Sequence, residues 1–117
     1  MRREELYIRD IIETAAELHR FTRGMSLAKF RENAVLKKAV LADLIAIGEA
    51  VAQISQELKD RHTDLPWSDI KAFRNVLVHG YFALDWEIIW EAVQHDVPAL
   101  ARQIRAILDF EFPPSGK

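Results

Sequence analysis

The chain has 117 residues, which is enough for one domain with a single hydrophobic core. Half of the residues are apolar, which argues against disorder, and the absence of cysteine excludes disulfides and thiolate metal sites. The formal net charge of −2 argues against a protein that coats nucleic acid by bulk electrostatics.

No signal peptide is expected at the N-terminus, because the sequence MRREELYIRDIIE has no uninterrupted apolar stretch. No later segment approaches the roughly 20 apolar residues that span a bilayer. Together with the absence of cysteine, these features predict a cytoplasmic protein.

The first half of the chain predicts two amphipathic helices with a short helical turn between them. Apolar residues spaced three and four apart predict a helix from about 4 to 23 that stops at Gly24. Ser26 is expected to cap a short turn that carries Phe30 inward. A second stripe predicts one continuous helix that ends near Asp60. Its members are Leu36, Val40, Leu44, Ile47, Val51, Ile54 and Leu58.

The second half predicts two further helices. Pro66 suits the first turn of a helix, and Gly80 is the expected end of that helix. A fourth helix is predicted to begin after Asp85, a good N-cap, and Pro98 should kink or divide it. Its apolar stripe consists of Ile89, Val93, Val97, Leu100, Ile104 and Ile107.

Four amphipathic helices with short connections predict an all-α antiparallel bundle of four to five helices. One domain is expected over residues 1–110, followed by a flexible tail over 111–117. Trp67, Trp86 and Trp90 are interpreted as packing residues of the core or of a dimer interface rather than as ligand-stacking residues.

The charges are distributed unevenly along the chain. Residues 20–38 contain six cations and a single anion, Glu32, whereas residues 85–96 carry acidic charges only. Such asymmetry can steer an anionic partner to one side of a fold. The alternative is a pair of solvated helix faces, and the sequence leaves both interpretations open.

The segment from Phe73 to Tyr81 departs from the amphipathic pattern and carries the candidate chemistry. Asn75 and His79 are four apart and share a helix face, whereas Arg74 lies about 140° around the axis from His79. The arginine and the histidine can meet on one phosphate only if the arginine reaches round or a second copy of the motif faces the first. The alternative is a helix-capping histidine and an ion-paired arginine.

These residue types suit cleavage of RNA without a metal. A histidine can take the proton of a ribose 2′-hydroxyl or protonate the leaving 5′-oxygen. An arginine can bind the phosphate with two N–H groups and stabilise the charge of the transition state. Asn75 can orient either group by hydrogen bonding.

The run Arg74-Asn75-x3-His79-Gly80-Tyr81 resembles the Arg-x4-His-x-Tyr motif of HepT-like toxins in the HEPN superfamily. The resemblance covers nearly the whole chain, because further blocks match in the same order. These blocks are Leu6–Ile11, Gly24–Ser26, Ile47–Ala50, Leu65–Trp67 and Arg74–Phe82.

The resemblance implies a homodimer in which two motifs face each other across a cleft. It implies a ribonuclease toxin of a type VII-like system that needs neither a metal nor a cofactor of its own. Arg74 and His79 would be catalytic, with Asn75 in support. The family's usual partner is a minimal nucleotidyltransferase antitoxin, which transfers AMP from ATP to the motif tyrosine, here Tyr81. That AMP would bring negative charge to the site of the RNA phosphate.

The predicted helix that ends near Asp60 departs from the family pattern at one segment and matches it at another. Leu41, Ala42 and Asp43 stand where relatives often carry an arginine or asparagine, which puts an RNA-binding role of that helix in doubt. Glu49 matches a family block, and its role is left open between a solvated or interfacial carboxylate and a catalytic one. The candidates for holding the RNA backbone are Arg31, Lys37 and Lys38.

The leading hypothesis is therefore an endoribonuclease acting on tRNA or mRNA, two substrates that the motif does not distinguish. The alternative is a non-catalytic helical module that binds a nucleotidyltransferase or its nucleotide. A plain dimerisation domain leaves the Arg-Asn-His set unexplained. No metal site is expected, because His19, His62 and His95 show no metal-ligand spacing.

Overall fold

The computed structural model describes residues 3–114 and, for Tyr81, the backbone alone. Within these residues the chain forms helices and no strand, which confirms the all-α prediction. The α-helices are α1 (Arg3–Thr22), α2 (Leu27–Glu32), α3 (Ala34–Ala52), α4 (Gln56–Arg61), α5 (Trp67–His79), α6 (Trp86–Glu91) and α7 (Val97–Glu111).

The long helices form a bundle in which α3 is central. It packs against α1 on one side and α5 on the other, while α1 also packs against α7. The short α2 contacts both α3 and α6 and places Phe30 in the core. The ring of Phe30 lies 5.0 Å from that of Trp90 and 5.9 Å from that of Trp86, which supports the packing interpretation of these tryptophans.

Helix α1 ends where the sequence predicts. Its last residue, Thr22, donates its hydroxyl to the carbonyl of Leu18 at 2.8 Å. Gly24 follows with φ of +78°, a left-handed conformation that glycine adopts without steric cost. The predicted cap of α2 is confirmed as well, because the Ser26 hydroxyl accepts the N–H of Lys29.

The continuous helix predicted up to Asp60 is wrong, because the chain breaks between α3 and α4. Ser55 is extended, and its hydroxyl accepts the N–H of Leu58 to cap α4. The N–H of Ser55 itself is bound by the carboxylate of Glu4 at 2.6 Å. Ile54 and Leu58 are nevertheless buried, so the apolar spacing continues through the break and hides it.

The predicted start and end of α5 and the predicted start of α6 are confirmed. Helix α5 begins after Pro66 and ends at His79. The carboxylate of Asp85 accepts the N–H groups of Glu87 and Ile88 at the start of α6. A π-helical turn, Ala92–Asp96, then joins α6 to α7. It precedes Pro98, whose missing N–H and bulky ring interrupt a regular α-helix, as expected.

The C-terminal segment is held in place further than the sequence predicts. The carboxylate of Glu111 accepts hydrogen bonds from Nε and Nη2 of Arg61 at 3.0 and 2.8 Å. It also lies 2.7 Å from Nε2 of His62. Phe112 packs against the core. Glu111 and Phe112 therefore do not belong to the flexible tail expected over 111–117. Residues 115–117 lie outside the described residues.

None of the helices within residues 3–114 is long and apolar enough to cross a membrane.

Candidate active site

Arg74 lies on the face of α5 that packs against α3. Its side chain is one-fifth exposed, and its Nη1 donates to Oε2 of Glu49 at 2.7 Å. Its Nε is buried and has no hydrogen-bond partner among the described residues. Arg74 is therefore ion-paired, as the alternative interpretation of the motif predicts. This ion pair does not exclude binding of a phosphate by the same guanidinium.

Gly48 makes room for Arg74. A Cβ built on Gly48 would lie 2.5 Å from Cγ and 2.6 Å from Cβ of Arg74, closer than real side chains approach. Since the Cβ of Arg74 is fixed to the backbone of α5, any side chain at position 48 would push α5 away from α3. The sequence marks Gly48 only as part of a family block, and its packing role becomes visible in three dimensions.

His79 is the last residue of α5 and is exposed. Gly80 ends the helix, as predicted, and its N–H donates to the carbonyl of Val76 at 2.8 Å. The chain continues as a 3₁₀ turn, Tyr81–Ala83, so the backbone of Tyr81 directly follows the helix end. The side chain of Tyr81 lies outside the described part of the structure.

Asn75 is exposed one helical turn before His79, on the face that the sequence predicts. Among the described residues no hydrogen bond joins Arg74, Asn75 and His79 to one another. Arg74 packs against α3, whereas His79 and Asn75 are open to solvent. A single copy of the chain therefore holds the arginine firmly and leaves the histidine accessible, but does not pair them.

A largely apolar groove lies beside Arg74. It has a volume of about 420 Å³ and runs between α3, α5, α6 and α7. Its apolar lining includes Ile47, Phe73, Ile88 and Leu100. On α5 itself, Val76 and Val78 are 56% and 44% exposed. Leu77 between them is buried, so the apolar triplet of the motif packs inward with one side chain and exposes the other two.

The basic and acidic segments meet instead of occupying separate sides. Arg31 lies 3.5 Å from the carboxylate of Glu87, and the ammonium of Lys37 lies 5.0 Å from the ring centroid of Trp86. Two of the three candidate RNA-backbone residues thus have partners within the chain. Lys38, the third, is exposed.

A pair of carboxyl groups joins α1 to α3 away from Arg74. Burial and a hydrogen bond with Glu17 raise the pKa of Asp43 to about 7. Oδ2 of Asp43 is buried and has no hydrogen-bond partner among the described residues. Two ionised carboxylates have no donor between them, so this hydrogen bond requires a shared proton.

No three histidine or acidic side chains among residues 3–114 are grouped so as to hold a metal ion. Two of the remaining histidines approach carboxylates instead. His62 contacts Glu111, and His95 lies 3.4 Å from Glu91.

The model of the family described as ribonuclease HepT-like matches residues 11–107, which include Gly48, Glu49 and the whole motif from Arg74 to Tyr81. The chain belongs to the HepT-like family. This confirms the resemblance seen in the motif and places the chain in the HEPN superfamily. The matched residues contain every candidate catalytic, supporting and modification residue of the sequence analysis.

Individual relatives of this HepT-like chain bear related names. A protein of Caldanaerobacter subterraneus subsp. tengcongensis named "Putative RNase" is 33% identical over 105 residues, which cover 90% of this chain and 94% of that protein. A "Probable ribonuclease HepT" of Thermococcus cleftensis is 33% identical over 94 residues, which cover 80% and 86%. No solved structure matches the chain.

Proposed function

We propose that this HepT-like chain is a metal-independent endoribonuclease toxin of a type VII-like toxin–antitoxin system and acts on RNA in the cytoplasm. The observation that carries the proposal is the guanidinium of Arg74, held by Glu49 and Gly48 on the helix that ends in the exposed His79. A fixed guanidinium suits phosphate binding, and an accessible imidazole suits proton transfer. The ribonuclease names of relatives support this reaction class.

The proposed reaction requires two proton transfers. The imidazole of His79 takes the proton of a ribose 2′-hydroxyl, whose oxygen attacks the adjacent phosphorus. The bond from phosphorus to the 5′-oxygen breaks, and the His79 imidazolium formed by the first transfer protonates that oxygen. The products are a 2′,3′-cyclic phosphate and a 5′-hydroxyl. Arg74 stabilises the added negative charge on the phosphorus oxygens, and Asn75 orients the imidazole or the phosphate.

A second copy of the chain completes the site in this proposal. Arg74 and His79 leave α5 about 140° apart, so they do not converge from one helix. The exposed apolar side chains of Val76 and Val78 lie between them in sequence and offer a contact surface. A two-fold axis on this surface would bring the motif of each copy to face the other. The phosphodiester would then lie between Arg74 of one copy and His79 of its partner.

Neutralisation by AMPylation is proposed at Tyr81. Its phenol oxygen would attack the α-phosphorus of ATP on a minimal nucleotidyltransferase antitoxin, and pyrophosphate would leave. Tyr81 lies two residues after His79 in the turn that follows α5. The phosphate of the attached AMP would compete with RNA phosphate for Arg74, and the adenosine would obstruct the cleft.

Expression in bacteria tests the nuclease proposal. Growth arrest and RNA breakdown are expected from the unmodified chain and not from Arg74→Ala or His79→Ala. The matched controls are Arg102→Ala and His19→Ala, two exposed side chains on α7 and α1, and both should remain toxic. Equal toxicity of all five proteins would reject catalysis by this motif. A non-toxic chain that still binds the nucleotidyltransferase would support the non-catalytic module.

Intact-mass measurement tests the modification. Incubation of the chain with the nucleotidyltransferase and ATP should add the mass of one AMP. The added mass should be absent in Tyr81→Phe and present in Tyr7→Phe, the other tyrosine of the chain. Addition of AMP to the Tyr81→Phe variant would show that another residue is modified and would reject the assignment of Tyr81.

A further inference from the structure

We infer that Glu49 is a positioning residue that holds the guanidinium of Arg74 in the orientation needed to bind an RNA phosphate. Gly48 leaves the space in which the Cβ and Cγ of the arginine pack against α3. This inference rests on the proposed function for its catalytic consequence, while the placement of Arg74 can be measured without any reaction.

The contacts of Arg74 define which of its donors remain for a ligand. The side chain leaves α5 against Gly48, which fixes its Cβ and Cγ. One N–H of Nη1 is bound to Oε2 of Glu49 at 2.7 Å, and the N–H of Nε points into the protein interior. Of the five N–H donors of a guanidinium, both on Nη2 and the second on Nη1 are left. Glu49 thus determines which edge of the guanidinium faces a phosphate.

Stability alone does not account for this ion pair. The carboxylate of Glu49 is half exposed, and exposed ion pairs contribute little to the free energy of unfolding. Its effect on Arg74 is geometric instead, because a free arginine side chain samples many rotamers and loses that freedom when it binds. A guanidinium that is already oriented loses less freedom when it meets the transition state.

The negative charge of Glu49 also has an opposite, electrostatic effect. Glu49 lines a groove between α1 and α3 together with Asp10 and Glu13, and its negative charge repels RNA and competes for Arg74. If competition dominates, removal of the carboxylate raises activity. Glu13 is exposed in the same groove and, among the described residues, forms no ion pair with Arg74. The variant Glu13→Ala therefore makes the same change of charge without touching the arginine.

Cleavage by purified proteins separates the two effects. We expect Glu49→Ala to lower kcat by roughly tenfold to a hundredfold, the range that follows from a small misplacement of a catalytic group. Glu49→Gln keeps an oxygen that can accept the N–H of Arg74 and should restore part of that loss. Glu13→Ala should retain wild-type kcat. Activity of Glu49→Ala and Glu49→Gln at or above that of Glu13→Ala would overturn the inference.

Nitrogen-15 NMR tests the placement of Arg74 without RNA. The Nε–H resonance of Arg74, assigned by its loss in Arg74→Lys, should be protected from exchange in the wild-type chain. It should shift and exchange faster in Glu49→Ala, and it should be unchanged in Glu13→Ala. An identical resonance in Glu49→Ala would refute positioning. If the Arg74 resonance differs between the wild-type chain and Glu49→Ala as expected, but the wild-type chain cuts no RNA, the proposed function fails while the positioning by Glu49 stands.

Discussion

Arg74 lies directly on Gly48, so that a Cβ at position 48 would meet Cγ of the arginine at 2.5 Å and its Cβ at 2.6 Å. This contact couples the spacing of α3 and α5 to the placement of the side chain proposed to bind phosphate. Because the contact includes the Cβ of Arg74, rotation of the arginine side chain cannot relieve a larger residue at 48.

Gly48→Ala should reverse the usual effect of this substitution. In an unhindered helix the change from glycine to alanine stabilises by about 1 kcal/mol. Overpacking against Arg74 costs about 1–3 kcal/mol, so the net free energy of unfolding should fall or at best stay level. Urea denaturation measures it. A variant clearly more stable than the wild-type chain would show that α5 does not depend on this contact.

The carboxyl pair of Glu17 and Asp43 should make stability depend on pH. The pKa of Asp43 is raised from 3.8 to about 7, so the folded chain binds this proton more tightly than the unfolded chain. The resulting stability is fully present below pH 3.8 and is lost as pH rises to about 7. Asp43→Asn should therefore raise the thermal midpoint at pH 8 and leave it nearly unchanged near pH 4.

The matched control for that variant is Asp109→Asn, which removes an exposed carboxylate on α7. Its effect on the midpoint should be small at both pH values. Equal midpoint shifts of the Asp43 and Asp109 variants at pH 8 would show that net charge, and not the carboxyl pair, is responsible.

Glu111 should stabilise the end of α7 at neutral pH. Hydrogen bonds from Arg61 and His62 lower the pKa of Glu111 from 4.5 to about 2. The stabilisation is present above pH 4.5 and is lost as pH falls toward 2. Glu111→Gln should lower the thermal midpoint at pH 7 more than Glu87→Gln, which breaks one exposed contact of 3.5 Å to Arg31. Equal losses in the two variants would contradict a stabilising role of the contacts of Glu111 with Arg61 and His62.

Mixing two inactive variants tests the shared site. A heterodimer of Arg74→Ala with His79→Ala, purified through two different tags, keeps one intact pair made of Arg74 from one copy and His79 from the other. In a two-fold dimer with composite sites, its activity should be about half that of the wild-type dimer. Activity no higher than that of either homodimer would place both residues of each site in the same copy.

Local sequence signals predict most of the helix ends, because the groups that fix them are close along the chain. Gly24 and Ser26 act on neighbouring residues, as does Asp85. The break at Ser55 has a different cause. It is fixed in part by the carboxylate of Glu4, which is distant in sequence, while the buried Ile54 and Leu58 keep the apolar spacing intact. Periodicity alone cannot detect such a break.

The same distinction, between local sequence signals and contacts of residues distant in sequence, applies to the candidate site. The motif from Arg74 to Tyr81 is visible in the sequence, together with the glycine that ends its helix. The partners of Arg74 are not, because Gly48 and Glu49 lie on another helix and meet it only through the packing of α3 against α5. The contact of Arg31 with Glu87 likewise depends on tertiary structure.

Cleavage of RNA by the purified chain in the presence of EDTA tests whether Arg74 and His79 cut RNA without a metal ion. We expect fragments that end in a 2′,3′-cyclic phosphate and begin with a 5′-hydroxyl, as measured by mass spectrometry. Arg74→Ala and His79→Ala should each cut at least about a hundredfold more slowly. Cleavage by both variants at the wild-type rate, with the same ends, would contradict the assignment of these two residues.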